Sequence, residues 1–221
     1  MNRTWMIVGA ALRVRPTVRT ERAPSSSGGH GGRPLQSLVC AVMLLLLSAL
    51  SAYAQQPTSP SAAAKYFSDV ELINQDGQKL RFYSDVLKDK VVIINAFFST
   101  CTSVCPPMNR NLEKIQDALG DRLGKEVYLV SISVDPENDT PARLKEYSQR
   151  FHAKPGWLFL TGKKENVNWA LYKLGQYVET KNDHTTIVII GNEPKGLWKK
   201  AFGLAKSDEL IKIVNDVIND R

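Results

Sequence analysis

Cysteine and histidine are both scarce in this chain, with three of each among 221 residues. A structural zinc module normally draws four ligands from these two residue types, so supply alone argues against one. Lysine is missing from the first 54 residues, which instead carry Arg3, Arg13, Arg15, Arg19, Arg22 and Arg33 against a single acid, Glu21. That segment holds +5 of the formal net charge of +7, leaving +2 for everything after it. A basic excess confined to a leader removes the main support for nucleic-acid binding, and no nucleic-acid partner is expected. The apolar stretch from about Leu38 to Leu50 falls short of the roughly 20 residues of a spanning helix. No internal repeat is visible, which sets aside solenoid and propeller architectures.

What is present begins with that leader. An arginine precedes the apolar stretch, and Ala52-Tyr53-Ala54 fits a small-x-small cleavage site. This is the layout of an export signal cut after Ala54, with a retained membrane anchor as the alternative. The 36 residues ahead of it are long for such a signal. Their Pro and Gly interrupt any amphipathic helix, which favours a translation start further in over an organelle presequence. Cys40 lies inside the apolar stretch as a small hydrophobe, and His30 lies in the leader. The exported part would then contain two cysteines, Cys101 and Cys105, in an oxidising compartment where a pair can close on itself. The expected location is the periplasm or the outer face of the cytoplasmic membrane. Residues 1–54 are thus a signal or anchor, 55–65 a Pro/Ser/Ala-rich flexible tether, and 66–221 a folded domain.

The domain alternates strand and helix patterns. "VELINQDGQKLRFYS" gives two short runs around Asp76-Gly77, an N-terminal hairpin. "KVVIINAFFS", "EVYLVSISVD" and "GWLFLTG" are apolar and β-branched, as strands buried on both faces require. Between them, Met108, Leu112, Ile115 and Leu119 recur at helical spacing, and "TPARLKEYSQRF" starts a helix with Thr140 as cap and Pro141 in first position. "KKENVNWALYKLG" predicts a helix ending at Gly175, "HTTIVIIG" and "GLWKKAFG" an antiparallel pair, and "KSDELIKIVNDVIND" a closing amphipathic helix. The layout is α/β, a sheet with helices on both faces. Such sheets place their chemistry at the carboxyl ends of the strands, where the cysteines fall.

The stretch "STCTSVCPPMNRNL" carries that chemistry. Proline is tolerated in a first helical turn and discourages helix in the residue before it, so the helix should begin near Pro106 or Pro107 with Cys105 at its amino end. A sulfur there faces the positive end of the helix dipole, which favours the thiolate needed for redox exchange and for metal binding. The three-residue spacer leaves both open: the sulfurs can bond, or hold one soft ion such as Cu(I). An inert staple would more usefully close a longer loop.

"FFSTCTSVCPPMNRNL", "SISVDPENDTPARLKEY" and "NDHTTIVIIG", in that order, resemble the Sco/SenC family of thioredoxin-fold copper proteins over about residues 66–219. The resemblance implies a thioredoxin-like fold with a central mixed sheet. It implies a copper site, Cu(I) or Cu(II), formed by Cys101, Cys105 and His184. It also implies delivery of copper to the dinuclear copper site of cytochrome c oxidase subunit II, or to another cuproenzyme. The alternative is a thiol–disulfide oxidoreductase that uses Cys101 and Cys105 to reduce a cuproenzyme's cysteines before metal insertion. Because the pair must be reduced to bind copper, a thiol–disulfide reductase is an expected partner, and a membrane surface or anchor another. The segment "GQYVETKNDHT" is shorter than the loop many members carry before the histidine.

The remaining candidates have plainer readings. Asp135 shapes the "DPEND" turn and could influence the site from behind its ligands. Asp183 could orient the imidazole or cap the loop. Met108 belongs to the core face of its helix, His152 caps a helix end or is exposed, and Trp157 and Trp169 read as packing. A peroxidase of the shared fold gains little, since Arg110 is the only arginine near the cysteines in sequence.

Overall fold

Seven strands form one sheet in the order β2-β1-β5-β4-β3-β6-β7. The computed structural model describes residues 61–219. The leader with His30 and Cys40, the cleavage site and residues 55–60 of the tether lie outside the described residues. The strands are β1 (Glu71–Asn74), β2 (Lys79–Arg81), β3 (Val91–Phe97), β4 (Val127–Ser133), β5 (Trp157–Thr161), β6 (Ile187–Asn192) and β7 (Leu197–Phe202). The helices are α1 (Ala62–Phe67), α2 (Cys105–Leu119), α3 (Pro141–Gln149), α4 (Lys164–Leu174) and α5 (Ser207–Ile218). β3, β4 and β5 run parallel, while the β1–β2 hairpin and the β6–β7 pair add antiparallel edges. The sheet is therefore mixed.

Alternation along β3 divides the core in two. Val92, Ile94 and Ala96 face one side with α1 and α4, where Phe67, Val167, Leu171 and Leu174 close over them. Ile93 and Phe97 face the other with α2, α3 and α5, through residues such as Leu112, Ile115, Leu144 and Val214. Both faces of the central strands are thus dry, which is why they read as continuous apolar runs. Each fully buried Leu or Ile contributes about 1.5–3 kcal/mol. Among the described residues no helix is long and apolar enough to cross a membrane.

Local signals decide the boundaries. Thr140 Oγ1 accepts the main-chain N–H of Arg143 ahead of Pro141, and Gly175 ends α4 in the left-handed conformation at φ 65°. Two expectations differ from the structure. Residues 62–65, expected in the tether, belong to α1, because Ser61 Oγ caps the N–H of Ala64 and Phe67 buries into the core. Trp169, expected as packing, is 41% exposed, whereas Trp157 is buried. On α4 the residues Val167, Ala170, Leu171 and Leu174 take the sheet side, which turns Trp169 outward. Its indole N–H donates to Ser68 Oγ at 2.8 Å, and Lys173 lies over its ring.

Candidate metal centre

β3 ends at Phe97, and the chain then turns through residues 98–104 into α2. The carbonyl of Phe98 accepts the N–H of Cys101 at 3.1 Å, which curls the loop back on itself. α2 begins at Cys105, with Pro106 and Pro107 in its first turn, where no intrahelical donor is lost. The segment after α4 returns across the carboxyl end of the sheet, makes a short 3₁₀ turn at Lys181–Asp183 and delivers His184 just before β6.

These two loops bring Cys101, Cys105 and His184 together, with their sulfur and nitrogen ligand atoms all within 4.8 Å of one another. All three residues are buried, and both cysteines are free thiols. The Nδ1–H of His184 donates to the main-chain carbonyl of Lys181 at 2.9 Å. That fixes the tautomer and leaves the Nε2 lone pair toward Cys105, whose sulfur lies 3.1 Å away. The ring of Phe98 meets the imidazole edge-on at 5.2 Å between centroids and shields it from water. Burial lowers the pKa of His184 below its ordinary value, offset in part by the bond to Lys181, so the imidazole is neutral at pH 7. Two sulfurs and one neutral imidazole nitrogen in a dry pocket are a donor set suited to a soft ion.

The two thiols are unequal, and not in the sense that the helix position predicts. Burial pushes the Cys105 thiol far up, with the neighbouring Cys101 adding to it, despite the N–H of Phe98. Burial also raises Cys101, but hydrogen bonds from the thiol and N–H of Cys105 and from Ser103 outweigh it, and the net shift is downward. The donors at the amino end of α2 are therefore spent on Cys101, in the loop ahead of the helix, rather than on the cysteine that begins it.

Asp135, Met108 and His152 stand as the sequence suggested, whereas Asp183 does not orient the imidazole. Asp135 is buried at the end of β4 and accepts from Lys181 Nζ at 2.7 Å and from Asn138 Nδ2 at 2.8 Å. It acts on the site through Lys181, whose carbonyl holds His184. Asp183 is exposed, and the carbonyl of Lys181 orients the imidazole in its place. Met108 is core, with its sulfur 2.8 Å from where a Cβ on Gly203 would stand. His152 is exposed at the end of α3, its Nδ1 2.6 Å from Glu113.

Sequence reasoning missed three features. Asp139 is fully buried and accepts from the N–H and hydroxyl of Ser99 and from the Ser133 hydroxyl. It ties the cysteine loop to the end of β4, and it stands in the same "DPENDTP" segment that drew attention to Asp135. Phe98 was hidden in an apolar run. Arg143 and Arg150, on and just past α3, share with Cys101 a cavity that the sequence had populated with Arg110 alone.

Residues 58–219 match the family model described as SCO1/SenC. The chain belongs to the SCO1/SenC family. A SCO1 protein homolog of Bacillus subtilis is 37% identical over 90 residues, 40% of this chain and 45% of that protein. The chain spans about half the length of the curated relatives it matches. Among solved structures, a SCO1/SenC family lipoprotein from Bacillus anthracis superposes with a TM-score of 0.56 at 28% identity, covering 67% of this chain and 92% of that one. Arabidopsis thaliana ScoI with copper bound gives a TM-score of 0.58 at 25% identity, covering 71% of this chain and 99% of that one. The thioredoxin-like α/β fold expected of a Sco/SenC chain is the fold found.

Proposed function

We propose that this protein is a copper-binding metallochaperone that serves the assembly of cytochrome c oxidase, with copper as cargo held by Cys101, Cys105 and His184. The observation that carries the proposal is the buried convergence of two sulfurs and one imidazole nitrogen within 4.8 Å. Membership of the SCO1/SenC family and the likeness to a copper-bound Sco structure support it. Two thiolates suit Cu(I), and the added nitrogen makes Cu(II) acceptable. The recipient is the dinuclear copper site of oxidase subunit II, and the setting is the cell envelope, outside the cytoplasmic membrane. Transfer proceeds by ligand exchange, in which recipient thiolates replace those of the donor one at a time.

A second reading, thiol–disulfide exchange with a cuproenzyme, is favoured by the asymmetry of the pair. Cys101 is the lowered thiol nearest the surface, and Cys105 is the buried sulfur able to resolve a mixed disulfide.

Titration of the reduced full chain with Cu(I) and Cu(II) tests the first reading. Near-stoichiometric Cu(I) binding is expected, collapsing in Cys101→Ser and Cys105→Ser. His184→Ala should lose Cu(II) and weaken Cu(I). Unchanged binding of both ions in His184→Ala would rule out the three-ligand site.

A further inference from the structure

Beside Cys101 lies a cleft of about 370 Å³ between the cysteine loop and α3. Residues 99–102 form one wall, and Arg143, Glu146, Tyr147 and Arg150 form the other. The second set recurs at helical spacing, so a single face of α3 and its continuation is turned toward the cysteine loop. Cys101 and Tyr147 are its buried members, while both arginines and Glu146 are exposed. The guanidinium of Arg143 donates to the carbonyl of Asn138, and that of Arg150 lies 5.8 Å from the Tyr147 ring centroid. Among the described residues neither arginine has a carboxylate within ion-pair distance, Glu146 included. The lining therefore holds two cations without a contacting carboxylate and one acid around the more accessible sulfur of the pair, the charge of Arg143 being felt also by Asp135.

We propose that this cleft is a docking subsite for an acidic, cysteine-bearing segment of the partner protein. A partner carboxylate pairs with Arg143 and Arg150 and so brings the neighbouring partner thiol against Cys101. The inference deepens the function proposed above and rests on it for the identity of the cargo, but the charge selection stands on the cleft itself. The volume is too large for one small anion and suits a few residues of extended chain, with Thr100 and Thr102 offering hydroxyls along one wall. Guanidinium is the group best shaped to hold a carboxylate in two parallel hydrogen bonds. Opposite charge at the edge of a contact also accelerates encounter and suppresses partners of the wrong sign.

The test uses the reduced full chain with Cys40→Ser, so that Cys101 and Cys105 are its only cysteines. The probes are short peptides with one cysteine flanked by Glu, Gln or Lys, each activated as a mixed disulfide with 2-thiopyridine. Attack by the Cys101 sulfur forms a new disulfide with the peptide and releases thiopyridone, which is followed by absorbance. The Glu peptide should react about fivefold faster than the Gln peptide at low salt, and the Lys peptide more slowly than either, with the differences shrinking as salt rises. Arg143→Gln with Arg150→Gln should abolish the ranking while leaving Cu(I) affinity unchanged, and Arg143→Glu with Arg150→Glu should invert it. Equal rates for the three peptides on the parent chain, or a ranking that survives the double Gln substitution, would overturn the subsite. Charge ranking in a chain that fails to bind copper would leave the subsite standing and remove the metallochaperone reading instead.

Discussion

The main-chain carbonyl of Lys181 accepts the Nδ1–H of His184, and the side chain of the same lysine is bound by Asp135. One residue therefore sets the tautomer of the imidazole with its backbone and is itself pinned from the end of β4 by its ammonium. Histidine nitrogen NMR of the reduced, copper-free chain should show His184 as the Nδ1–H tautomer. A dominant Nε2–H form would mean that the nitrogen facing Cys105 is not a free donor.

The Asp135–Lys181 pair also has a pH signature. Burial disfavours the Asp135 carboxylate, but hydrogen bonds from Lys181 and Asn138 and the charges of Lys181 and Arg143 outweigh that, and its pKa lies below the ordinary 3.8. The unfolded chain therefore binds this proton more readily than the folded one. The stabilisation is fully present above pH 3.8 and is lost as pH falls through the lower native value. Urea unfolding across this acid range should show a steeper loss of stability in the parent than in Asp135→Asn.

Cys101 and Cys105 should differ in reactivity. Cys101 is 7% exposed with a lowered pKa, and Cys105 is fully buried with a raised one. Alkylation by iodoacetamide followed by peptide mass mapping should label Cys101 at least about tenfold faster. Faster labelling of Cys105 would show that the helix terminus, and not the loop, activates the pair.

Asp139 should prove a positioning residue for the cysteine loop. Asp139→Ala strands the Ser99 N–H and the Ser133 hydroxyl, and should cost about 2–3 kcal/mol in urea unfolding. Hydrogen exchange at the Ser99 amide should accelerate more than exchange in β4. Unchanged exchange at Ser99 would remove Asp139 from the support of the site.

Beneath the site a buried chain of hydrogen bonds runs from the Trp157 indole through Ser131, Asn95 and Asn109 to the Tyr147 hydroxyl. Asn109→Ala leaves the Asn95 amide and the Tyr147 oxygen without their partner, and about 3 kcal/mol of stability should go. Because the side-chain amide of Asn109 is committed to Asn95 and Tyr147, Cu(I) affinity should change little. A large loss of affinity with stability intact would place Asn109 in the metal site.

Much of this protein is written locally. The apolar β-branched runs could only be strands covered on both faces, the Thr140-Pro141 and Gly175 signals bound their helices, and the two prolines placed the cysteines at the mouth of α2. Cys101 and Cys105 were legible because they are close in sequence, and His184 because its motif could be matched. Tertiary structure alone decided the rest. Which thiol is lowered depends on where the N–H groups of a folded loop converge, and they converge on Cys101. The partner of His184 is a backbone carbonyl, which no side-chain pattern encodes. Asp139 reaches the cysteine loop, and Arg143 and Arg150 the cleft beside it, from the segment after β4, brought there by the order of strands in the sheet, while Phe98 of the cysteine loop meets His184 from another. Sequence spacing constrains only neighbours along the chain, whereas burial, hydrogen bonding and charge act between neighbours in space.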